Sequence, residues 1–165
     1  MKIILTPNPA PPHNLQRIVY NPDWLAGMTE DDIIVRVVAR NREAGLIRDD
    51  YWVVDEADLP GGAISVENDY NYFFDAWEWL GDGCKVNMPK ARVIHMGRIR
   101  LQRDAALEAL DVPFMRAVET GDAAEQQRIA AAKQQLRDIP QTLDLDGCAT
   151  PEALGAVWPD GLARP

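Results

Sequence analysis

The composition of the chain changes abruptly at Pro89, and this change constrains the fold more than any other feature. Before Pro89, apolar residues occur in short runs separated by proline, glycine and acidic residues. After it, Ala, Arg, Gln, Leu and Glu dominate, and β-branched residues become scarce. The first composition is typical of short strands and loops, and the second of long helices. We therefore predict an α+β fold, with an α+β module over residues 1–88 and a helical domain over 89–165.

The first half has the signals of a small module with mixed or antiparallel strands. Its β-rich runs lie at residues 2–6, 17–21 and 51–55. Between them, Thr29 is a favourable N-cap, and the acidic residues after it suit the positive end of a helix dipole. We predict a helix over residues 30–44, ended by Gly45.

An aromatic segment follows between Asn68 and Leu80. Residues 76–80 and 84–88, joined by Gly81-Asp82-Gly83, predict a β-hairpin. Alternate residues of a strand share one face, so a core role is one interpretation of the aromatic side chains. A protein interface is the other, because Trp and Tyr often anchor binding. The candidate interface residues are Tyr70, Tyr72, Phe73, Trp77 and Trp79.

The second half predicts an antiparallel helical hairpin and a short terminal helix. We expect a long helix from Pro89 to about Leu110, with a break at 111–113 and a continuation to Glu119. After a tight Thr-Gly-Asp turn, a second helix reaches about Asp138. Thr150-Pro151 starts the last helix. The apolar rows expected on the long helix are Ile94, Leu101 and Ala105, and Met96, Ile99, Ala106 and Leu110.

The formal net charge of −9 argues against nucleic acid and membrane surfaces as partners. Proteins that neutralise phosphates need a surplus of Lys and Arg. A basic run does occur on the predicted long helix, without an aromatic ladder, and we expect it to pair with acidic groups. This run consists of Lys90, Arg92, Arg98, Arg100 and Arg103. The first residues do not form a signal peptide and no apolar run reaches membrane-spanning length, so we expect a soluble protein made in a cytoplasm.

The chain lacks a recognisable catalytic constellation. The only serine, Ser65, is not in a GxSxG motif. The histidines and cysteines, His13, Cys84, His95 and Cys148, show no close spacing of the kind found in structural zinc sites. We predict no catalytic, cofactor-binding or metal-binding residues and no enzymatic activity; a small hydrolase that uses Asp and His is the alternative.

Each cysteine, Cys84 and Cys148, follows an Asp-Gly pair. Asp-Gly is typical of turns, where thiols tend to be accessible. Our hypothesis is that one or both cysteines form a disulfide, either with a partner protein or with each other. Two inert thiols are the alternative.

Residues 74–160 resemble a C-terminal region of small phage and prophage proteins that are encoded near tail-fibre or tail-tip genes. The segments that carry the resemblance are Phe74-Asp75-Ala76-Trp77, Val86 to His95, Arg98-Ile99-Arg100, Leu107 to Ala117, Gly121-Asp122, Lys133 to Asp138, Thr150 to Leu154 and Trp158-Pro159. The resemblance implies a tail-fibre-associated chaperone or accessory protein without a catalytic motif.

The resemblance also implies the partners. They would be a phage tail fibre or another tail structural protein, with a second accessory chain as a further partner, met in the host cytoplasm during assembly. Fibrous proteins have exposed strand edges that a chaperone could protect, and an acidic chaperone would complement a basic patch. The alternative is a permanent virion protein, either a head decoration or a connector in the tail or baseplate.

Overall fold

The computed structural model describes residues 2–8, 14–20, 27–48, 50–60 and 71–164. The chain divides into two compact units, Met1–Asn87 and Met88–Pro165. Antiparallel strands lie in the first unit, and four helices lie in the second. The prediction of an α+β fold is therefore confirmed.

The first unit is built on a three-stranded antiparallel sheet. Strand β1 (Lys2–Pro7) pairs with β2 (Leu15–Ile18) on one side and with β3 (Trp52–Asp55) on the other. Successive side chains of a strand point to opposite faces of the sheet. Because Ile3, Ile4 and Leu5 of β1 are all fully buried, both faces of the central strand must be covered.

A helix and a β-hairpin cover these two faces. Helix α1 (Glu30–Glu43) packs on the side of Ile4, and the hairpin of β4 (Trp77–Leu80) and β5 (Gly83–Val86) packs on the side of Ile3 and Leu5. The helix-side cluster comprises Ile4, Tyr20, Ile33, Ile34, Val37, Val38 and Ile47. The hairpin-side cluster comprises Ile3, Leu5, Leu15, Leu59, Trp77 and Cys84. The first unit thus has three layers around β1.

Local signals fix the ends of α1. The Thr29 hydroxyl accepts a hydrogen bond from the backbone N–H of Asp32, and the Asp32 carboxylate accepts from the backbone N–H of Thr29, which forms a capping box. Gly45 follows the helix with a φ of +72°, a conformation that glycine adopts without strain. The predicted helix over 30–44 is confirmed.

The hairpin is also confirmed, with strands slightly shorter than predicted. Trp77 lies opposite Val86 and Leu80 lies opposite Gly83, so Gly81 and Asp82 form a two-residue turn. Gly81 has a φ of +63°, as tight hairpin turns require at that position. The aromatic stretch before β4, Asn71–Ala76, forms short 3₁₀ turns.

The second unit consists of α2 (Met88–Ala109), α3 (Asp111–Glu119), α4 (Ala123–Thr142) and α5 (Pro151–Ala156). The break between α2 and α3 falls at Leu110, close to the predicted site. Helix α4 packs against both α2 and α3. It ends later than predicted because Pro140 is tolerated inside it. Proline removes one backbone donor, and the helix stops only two residues further on.

One prediction about α2 is wrong. Its buried residues are Ala91, His95 and Ile99, which follow one another at intervals of four. The predicted row of Ile94, Leu101 and Ala105 lies roughly a quarter turn around the helix from this buried line, because each residue advances the helix by about 100°. Leu101 is accordingly 67% exposed.

Candidate partner-binding surfaces

The aromatic residues proposed as a partner interface occupy different environments. Phe73 and Trp77 are fully buried, whereas Tyr72 and Trp79 are half-buried. Tyr70 lies outside the described residues. Burial of Phe73 and Trp77 corresponds to the core interpretation, so a partner could reach only Tyr72 and Trp79 among the described members. An interface at those two residues stays a prediction.

Aromatic contacts attach the hairpin to the sheet. Trp79 of β4 stacks on Trp52 of β3, with ring centroids 4.7 Å apart and an interplanar angle of 12°. Phe74 meets Trp77 edge to face at 5.2 Å, and the Arg17 guanidinium of the β2 strand lies 5.7 Å from the Phe74 ring centroid. Such pairs stabilise packing beyond their buried area. These contacts therefore give the aromatic segment a structural role within the first unit.

Both cysteines are free and buried, and each is 8% exposed. The expectation that these thiols would be accessible is wrong, because Cys84 lies inside β5 in the hairpin-side cluster and Cys148 packs in the loop before α5. Burial raises the pKa of Cys84 to about 12, which suppresses the reactive thiolate. The proposed disulfide stays a prediction, and it would require local opening around either thiol.

Catalytic and metal chemistry finds little support in the described part of the chain. No group of three or more His, Cys, Asp or Glu side chains there could hold a metal ion. His13 and Ser65 lie outside the described residues. His95 is fully buried, and its Nε2 donates to the Val157 carbonyl at 2.7 Å. Burial lowers the pKa of His95, which favours the neutral imidazole.

His95 and Arg92 hold the C-terminal segment onto α2. Arg92 donates to three backbone carbonyls in the loop after α4, those of Leu145 (2.9 Å), Asp146 (3.2 Å) and Cys148 (2.8 Å). One turn further along α2, His95 binds Val157 and its ring meets Trp158 edge to face. We call Arg92 and His95 the C-terminal clamp.

The basic run of α2 thus has a structural use. Arg92 belongs to the C-terminal clamp, and Arg103 forms an ion pair with Asp104 at 2.7 Å. Sequence reasoning expected acidic partners, and Arg92 has one in Asp146 at 3.9 Å, but it missed that Arg92 would also bind carbonyl groups. The loop that Arg92 binds contains an Asp-Leu-Asp-Gly turn, and this turn is the feature of the loop that is visible in the sequence. In it, the Asp144 carboxylate accepts hydrogen bonds from the backbone N–H groups of Asp146 and Gly147.

Helix α3 exposes an apolar surface that sequence reasoning also missed. Val112, Met115 and Val118 are 58%, 55% and 46% exposed, respectively. Their spacing of three residues places them along one side of the helix, while Ala117 is buried and Phe114 is half-buried on the other. This spacing of apolar residues is the sequence pattern from which the exposed surface could have been predicted. We call Val112, Met115 and Val118 the α3 stripe.

Charge is distributed unequally between the units. Residues 1–87 contain 15 acidic and 7 basic side chains, whereas residues 88–165 contain 11 acidic and 10 basic ones. Nearly all of the net charge of −9 is therefore carried by the first unit. Separately, the helices of the described residues include none with the length and apolar character needed to cross a membrane.

Comparison with known proteins places part of this chain in a functional context. A search of curated proteins found no match, and neither did a search of solved structures. A family model described as "Phage tail assembly chaperone protein" matches residues 96–160, which include most of α2 and all of α3, α4 and α5. The predicted resemblance to phage tail chaperones is confirmed over this region. Residues 96–160 of the chain are thus similar to the phage tail assembly chaperone family, and this match supports a role in phage tail assembly.

Proposed function

We propose that this protein is a phage tail assembly chaperone that binds a tail structural protein without catalysis. The family match over residues 96–160 is the observation that carries the proposal. A chaperone acts by holding surfaces that would otherwise associate wrongly, and it needs no reactive group. The buried, neutral His95 and the buried thiols agree with such a role.

We further propose the tail fibre as the first partner to test. The resemblance of residues 74–160 to proteins encoded near tail-fibre genes supports this choice. An unassembled fibre has exposed strand edges and apolar grooves that invite wrong pairing. Binding would take place in the host cytoplasm, where tail proteins are synthesised and assembled.

Co-expression tests the proposal directly. Each tail structural protein encoded with this chain would be expressed alone and together with it, and the soluble and co-purifying fractions would be measured. We expect the fibre protein to become soluble and to co-purify only when the chain is present. If no tail protein gained solubility or co-purified, the chaperone proposal would be wrong.

Mass spectrometry of purified particles separates a chaperone from a permanent virion component. A transient chaperone should be absent from finished particles or present far below the amount of the structural proteins. A fixed stoichiometric amount would instead identify a head decoration or a connector in the tail or baseplate. Paired reducing and non-reducing gels of the same particles would test the disulfide predicted for Cys84 or Cys148.

A further inference from the structure

We draw no further inference here: the strongest candidate, the α3 stripe of Val112, Met115 and Val118, is an unpartnered apolar helix face, and nothing in the part of the chain that the structure describes shows what covers it.

Discussion

The two units of this protein are stabilised in different ways. The first unit buries apolar clusters on both faces of β1, including the large side chains of Phe73 and Trp77. The second unit places mainly small or medium residues, such as Ala91 and Ile99, between its helices. We infer that apolar packing provides most of the stability of the first unit. In the second unit, side-chain hydrogen bonds to backbone carbonyls make a larger relative contribution to stability.

The units also differ in what they offer to a partner. The first carries an excess of eight acidic side chains, and the second is almost neutral but exposes the α3 stripe. Strong net charge keeps a protein soluble, while exposed apolar residues provide a place to bind.

Removing Trp77 should give the largest effect on stability. Trp77→Ala leaves a cavity in the hairpin-side cluster and should lower the free energy of unfolding of the first unit by about 3–5 kcal/mol. Urea unfolding monitored by circular dichroism would measure it. Trp79→Ala is the matched control, because Trp79 is only half-buried, and it should cost clearly less. Equal losses for the two variants would contradict the assignment of Trp77 to the core.

Removing Arg92 should destabilise the second unit locally. Arg92→Ala leaves three carbonyl groups without their guanidinium donor and should cost about 2 kcal/mol. Hydrogen exchange should accelerate over residues 143–164 and stay unchanged in the first unit. Arg116→Ala, at an exposed arginine of α3, serves as the control and should leave exchange over residues 143–164 unaltered. Unchanged exchange in Arg92→Ala would show that the C-terminal clamp is dispensable.

Removing the cap of α1 should have a smaller effect. Thr29→Ala deletes the hydroxyl that accepts from the Asp32 N–H and should cost about 1 kcal/mol. Thr29→Ser keeps the hydroxyl and should be nearly neutral in the same thermal unfolding assay. A loss of equal size in both variants would mean that the capping box contributes little.

Acid should weaken the second unit through His95. Because burial lowers the pKa of His95 in the folded protein, the unfolded chain binds the proton more readily. The contribution of neutral His95 is therefore fully present above the unfolded pKa of about 6.5 and is lost as the pH falls through the lower folded pKa. His95→Gln should flatten the decrease in thermal midpoint between pH 7 and pH 5. An equally steep decrease in the variant would assign the acid sensitivity to other groups.

Local signals made much of the fold predictable from the sequence. Thr29, Gly45 and Asp122 mark helix ends through contacts with residues only a few positions away. The buried side of α2 and the role of Arg92 were not predictable in this way. Arg92 binds residues 53 to 56 positions further along the chain. Only the tertiary fold brings these residues into contact. For the same reason, turn chemistry correctly indicated the hairpin but gave the wrong exposure for Cys84.

The position of β1 in the sheet has a consequence for synthesis on the ribosome. Its neighbour β2 follows within a few residues, but its other neighbour is distant, since Leu5 pairs with Trp52. At elongation rates of about 5–20 residues per second, one edge of β1 remains unpaired for roughly 2–10 seconds until β3 is synthesised. During this interval the nascent chain carries an open, apolar strand edge. A protein proposed to protect unfinished tail components thus passes through an unprotected stage of its own.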